Sequence, residues 1–158
     1  MKKIGFIGAY DKTDLLIYIS KLLVENGLKV LIIDATTLQK TRYTVPCIAP
    51  SKSYITTYED IDIAIGFDSL QGIRNYIESP DFDYDIMLLD VDNREAFENL
   101  EIHTSDKNYF VTAFDNYSLK KGLEIIGKAE EKMLMTKILF SRNMEKEEDE
   151  YLNFLSFY

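Results

Sequence analysis

Apolar positions along the chain fall into short blocks, and the spacing inside the blocks changes from one to the next. Ile4 to Gly8 is a continuous apolar run closed by glycine, which predicts a buried strand and a turn. After Asp11-Lys12-Thr13-Asp14 the stretch Leu15 to Val24 is strongly apolar and is expected as a helix, and Asn26-Gly27 supplies a left-handed stop. Lys29 to Asp34 and Asp85 to Asp90 have almost no polar interruption, so both are expected as strands buried on two faces. Residues 35–53 are polar, contain Pro46 and Pro50, and are expected as a loop or a short excursion. Tyr54 to Phe67 has the β-branched and aromatic content of one or two strands.

The remaining pattern predicts helices at Ser69–Ile77, Glu95–Leu100, Ser118–Lys132 and from Glu145 onward. Strands are predicted at Tyr109–Phe114 and Lys137–Phe140. Strands separated by helices imply βαβ units, so the expected fold is α/β: a doubly wound, mostly parallel sheet with helices on both faces. No repeat, low-complexity tract or linker divides the 158 residues, and residues 1–158 are read as one domain.

Composition narrows the function classes. With 46% hydrophobic and 28% charged residues the chain has the mixture of a packed protein. Its 27 acidic and 18 basic residues give a net charge of -9, which opposes nonspecific binding to nucleic acid. Cys47 is the only cysteine, no signal-peptide pattern opens the chain, and no apolar run approaches the roughly 20 residues of a membrane span, so a cytoplasmic location is expected. His103 stands alone among histidines, which leaves little support for zinc or a Cys–His pair. Asp81-Phe82-Asp83-Tyr84-Asp85 imitates the start of a calcium loop, but Ile86 holds the position that needs glycine. Lys120-Lys121 is a short solvated basic patch.

A strand running through a glycine turn into a helix that starts with Lys-Thr is the recipe for a phosphate site, because free N–H groups and the helix dipole converge there. Lys3 to Thr37, with Lys12-Thr13 in the turn and Ile32-Ile33-Asp34-Ala35 ending the next strand, resembles the opening of the ParA/MinD branch of P-loop ATPases, whose phosphate loop is a deviant Walker A motif. Tyr84 to Asp90 resembles that family's Walker B strand, and Tyr109–Leu119 and Lys137–Asn143 resemble the elements that follow it. The resemblance implies a P-loop fold, a nucleotide site at Gly8, Lys12, Thr13, Asp34 and Asp90, and Mg²⁺ held by Thr13 with Asp34 and Asp90. The chain is shorter than typical members.

The departures from the family pattern lie in one turn. Ile7 stands where the signature lysine belongs, which in the family reaches across a dimer to the partner's nucleotide. Ala9 and Asp11 replace loop glycines, Tyr10 fills a variable position, and Asp14 replaces a hydroxyl residue. A Cβ at such a glycine blocks close approach of a phosphate. A carboxylate 4 Å from a phosphate charge costs about 4 kcal/mol at an effective dielectric of about 20, roughly three decades of affinity. Asp11 as N-cap and Asp14 at the third helical position would satisfy the helix amides in the phosphate's place.

These substitutions lead to the expectation of a degenerate phosphate loop with no catalytic residues and no cofactor: a pseudo-ATPase acting through protein partners, with a homodimer as one arrangement. The alternative is a Mg-ATP-dependent dimerisation switch with slow hydrolysis. Asp34 and Asp90 serve Mg²⁺ on one reading and act as caps or loop anchors on the other. Asp90-Val91-Asp92 beside Val111-Thr112-Ala113 also suggests a phosphoryl-accepting receiver, though the first strand lacks the acidic pair that receivers use. At the C-terminus, Tyr151, Leu152, Phe154, Leu155, Phe157 and Tyr158 follow an acidic run; they either pack on the sheet or form a docking face.

Overall fold

The computed structural model describes residues 1–46, 51–113, 115–127, 133 and 135–140. Its strands are β1 (Lys2–Ile7), β2 (Val30–Asp34), β3 (Tyr54–Tyr58), β4 (Ile61–Ile65), β5 (Ile86–Val91), β6 (Lys107–Ala113) and β7 (Met135–Phe140). The helices are α1 (Thr13–Glu25), α2 (Thr41–Thr44), α3 (Leu70–Tyr76), α4 (Arg94–Asn99) and α5 (Asn116–Ile126), with a 3-10 turn at Ile102–Thr104.

The seven strands form one sheet in the order β3-β4-β2-β5-β1-β6-β7. All neighbours are parallel except β3 and β4, which are antiparallel. The mostly parallel α/β expectation therefore holds. In receiver domains β1 lies beside β2; here β5 is inserted between them, which sets the receiver reading aside.

Strand alternation divides the core into two layers. On one face Phe6, Ile32, Ile63, Leu88 and Val111 pack with Leu16 and Ile17 of α1. On the other, Ile7, Leu31, Ile33, Met87 and Leu89 pack against α3, α4 and α5 through Ile73, Phe97 and Ile125. α1 presents Thr13, Leu16, Ile17 and Ser20 to the sheet, a stripe at helical spacing. Gly27, at φ 81, ends it, with its N–H donating to Val24 O at 2.8 Å.

Several expected boundaries move. Tyr54 to Phe67 resolves into two strands turning at Glu59 and Asp60, whose φ values of 49 and 61 suit the mirror-image turn of a tight hairpin. Residues 35–53, expected as loop, contain the one-turn α2. β6 begins at Lys107 and β7 at Met135, each two residues before its expected start. α5 begins at Asn116 because Asp115 caps it, accepting from Ser118 N at 2.8 Å. The helix expected from Glu145 and the aromatic residues Tyr151 to Tyr158 lie outside the described residues, as does Cys47. Among the described residues no helix is long and apolar enough to cross a membrane.

Candidate functional site

β1 and β5 are neighbours in the middle of the sheet, and their C-terminal ends open into the turn before α1. Such a crevice, where connections leave toward opposite faces, is where open α/β sheets place ligands. β1 leads to α1 on one face and β5 to α4 on the other. Gly8 continues β1, its N–H donating to Val91 O at 3.0 Å. Its φ is 141, and a Cβ there would lie 2.1 Å from the Val111 carbonyl oxygen, so packing against β6 alone demands glycine.

Lys12 then turns inward. It is 1% exposed. Its ammonium donates to Gly8 O at 2.6 Å and Tyr10 O at 3.0 Å, and lies 2.9 Å from Asp90 Oδ1. An ammonium has three N–H groups, and three acceptors surround this one. The contact with Asp90 is an ion pair with poor hydrogen-bond direction, since Oδ1 receives no well-aligned donor. Burial pushes the Asp90 carboxyl up to about 7, with Asp34 and Asp92 acting in the same direction and Lys12 opposing them.

Asp34 is the register partner of Asp90 on β2 and equally buried. Its surroundings are different. Oδ1 accepts from Thr36 N at 3.0 Å and Thr36 Oγ1 at 2.6 Å, and Oδ2 accepts from Thr41 N at 3.2 Å and from Thr41 Oγ1. Four donors use the roughly four lone-pair sites of a carboxylate. The aspartate anchors the loop after β2 and the start of α2.

Asp11 lies one position outside the N-cap of α1, which is Lys12, and Asp14 is the second helical residue, exposed. The expected capping is thus shifted by one residue. Asp11 Oδ1 nevertheless accepts from Thr13 N at 3.1 Å, and Oδ2 lies 2.8 Å from Lys40 Nζ. Partial burial raises its carboxyl, but hydrogen bonds from Lys40 and Thr13 outweigh this and hold it below the usual carboxylate range. Tyr10 stacks on Phe140 at the end of β7, ring centroids 4.7 Å apart, tying the first turn to the last described strand.

Ile7 is fully buried against the α3–α5 layer. The cavity above the turn, lined by residues including Tyr10, Asp11, Lys12, Thr13 and Asp90, measures ≈ 60 Å³. Small-molecule sites are typically roughly 300–1,000 Å³. Among the described residues no group of three or more His, Cys, Asp or Glu is placed to hold a metal ion.

The structure brings Gly8, Lys12, Thr13 and Asp90 together and commits Asp34 to its own loop. Lys40, Thr36 and Thr41 escaped the sequence reading. Asp34-Ala35-Thr36 is a turn-forming spacing that could have revealed one of them, whereas Lys40 is brought to Asp11 by the fold alone.

No protein-family model matches the chain, and no curated protein matches it. Solved structures do. A chain of the MinC:MinD cell division protein complex of Aquifex aeolicus superposes with a TM-score of 0.59 at 18% identity, covering 88% of this chain and 68% of that one. A plasmid partition protein of Borrelia burgdorferi gives 0.59 at 14% identity, covering 98% and 87%. A ParA family ATPase of Chlorobium tepidum gives 0.54 at 13%, covering 92% and 75%. The chain has the ParA/MinD-like P-loop fold.

Proposed function

We propose that the chain is a pseudo-ATPase: a non-catalytic ParA/MinD-like subunit that works by binding protein partners in a bacterial cytoplasmic assembly for positioning, secretion, pilus function or segregation. The observation that carries this reading is the inward engagement of Lys12, whose ammonium donates to Gly8 O and Tyr10 O and forms an ion pair with Asp90. A phosphate would have to displace two carbonyl contacts and compete with a buried carboxylate for the same ammonium. Asp11 already occupies the Thr13 amide that a phosphate oxygen would take. Asp34 has no lone pair left for Mg²⁺ unless it releases α2. Among the similar structures, the Aquifex complex joins MinD to another protein, MinC, a precedent for partner binding on this fold.

The rival reading is a Mg-ATP-dependent dimerisation switch, favoured by the convergence of Lys12, Thr13 and Asp90 on one cavity at the strand ends. Calorimetric titration of Mg-ATP and Mg-GTP into the protein and its Lys12→Ala variant separates the two. No binding heat and no phosphate release from either protein is expected. Micromolar binding that vanishes with Lys12→Ala overturns the proposal.

A further inference from the structure

The two faces of the sheet are unequally covered at its β7 end. On one face α5 packs on β6 and β1, while α1, on the other, lies over β2 and β4. Among the described residues no helix is centred over β6 and β7 on the α1 side. Ile4, Tyr109, Ile138 and Phe140 lie there, all of them partly buried. Strands about 4.8 Å apart make β1, β6 and β7 a strip wide enough for one helix of about 10 Å. Ile126 and Met135, which bracket the link from α5 to β7, both belong to the opposite layer.

The chain leaves β7 beside this strip. β7 is parallel to β6 and ends at Phe140, whose ring stacks on Tyr10 in the turn before α1. Residues 141–158 follow, outside the described residues. Their sequence carries the stripe that such a strip needs. Tyr151, Phe154, Leu155 and Tyr158 stand at i, i+3, i+4 and i+7, while Asp149, Asn153 and Ser156 fall on the opposite face of a helix. Asn143 suits an N-cap, and Glu145 and Glu147 suit a first turn. Length agrees as well: Glu145 to Tyr158 spans about 21 Å as a helix, and β7 about 20 Å as a strand.

We propose that residues 145–158 form a helix that docks on this strip in the same chain, beside α1, with Tyr151, Phe154, Leu155 and Tyr158 facing the sheet. At about 1.5 Å per residue from Glu145, Phe154 and Leu155 fall about 14 Å along the strip. Tyr109 precedes Ala113, the register partner of Phe140, by four strand residues, or about 13 Å. The two levels coincide, which makes Leu155 and Tyr109 neighbours. The aromatic residues of the segment are then core side chains, and partner binding falls to other surfaces. The docking requires no nucleotide, so its test and that of the pseudo-ATPase reading fail separately.

Urea denaturation of the full chain tests this through a double-mutant cycle of Leu155→Ala and Tyr109→Ala. Leu155→Ala is expected to raise the unfolding constant about thirtyfold. Asn153→Ala, on the outer face, should leave it within about threefold. The effects of Leu155→Ala and Tyr109→Ala should depart from additivity by at least about threefold, at every protein concentration. Additive effects, or equal effects of Leu155→Ala and Asn153→Ala, overturn the proposal. So does a coupling that fades on dilution together with the mass seen by light scattering, since that result puts the segment of a second copy on the strip.

Discussion

Asp34 and Asp90 end neighbouring strands, face each other in register and are buried to the same degree, yet they are different chemical objects. Asp34 is held by four short-range donors from the seven residues that follow it. Asp90 has one cation, brought from 78 positions earlier in the chain, and a carboxyl raised to about 7. Two acids at the same depth differ in the number and direction of their donors, and a pattern of apolar residues ending in Asp carries no information on either.

Breaking the Lys12 side of this comparison should have the largest effect. Lys12→Met strands Asp90 in the core, and loss of one member of a buried pair costs about 3–5 kcal/mol. The sign with pH follows from the raised carboxyl. A group whose folded value, about 7, exceeds the ordinary 3.8 gives its full stabilisation below 3.8 and loses it as the pH climbs to 7. Removing Lys12 removes a downward pull, so in the variant that loss continues to higher pH. Urea denaturation should therefore show a larger deficit at pH 8 than at pH 5, and equal deficits would mean that Asp90 is not the responsible group.

On the other side, Thr41→Val keeps the shape and the backbone N–H but removes one of the four donors to Asp34. A loss of about 1–3 kcal/mol in urea denaturation is expected. An unchanged stability would mean that the Thr41 hydroxyl does not hold Asp34, and the contrast between the two aspartates would collapse. Smallest of all, Asp11→Asn tests the rim, where the partner Lys40 is half exposed. A change of about 0–1 kcal/mol is expected, shrinking in high salt. Since the Asp11 carboxyl is held below its usual range, its contribution is present at neutral pH and disappears as the pH falls through that range.

Much of the fold was legible because its signal is local. The strands β2 and β5 are apolar runs broken only by Asp34 and Asp90, and α1 combines a strongly apolar stretch with an Asn-Gly stop. The hairpin between β3 and β4 was less clear, because Glu59 and Asp60 occupy left-handed conformations that Asn-Gly would have announced. In the site, the sequence pointed to the turn before α1. It could not show that Lys12 points inward, since a lysine beside a helix start is ordinarily solvated. Nor could it show that Gly8 answers to the Val111 carbonyl, more than 100 residues away.

The position of β1 also bears on how the chain is made. It is synthesised before the other described strands of the sheet, but its neighbours are β5 and β6, which end at residues 91 and 113. At about 5–20 residues per second, translation leaves β1 without its second flanking strand for roughly 5–20 s after it emerges from the ribosome. During that interval Ile4, Phe6 and Ile7 have no completed layer to enter. A chain truncated before β6 is therefore expected to expose these side chains, read as binding of a hydrophobic dye that the full chain lacks.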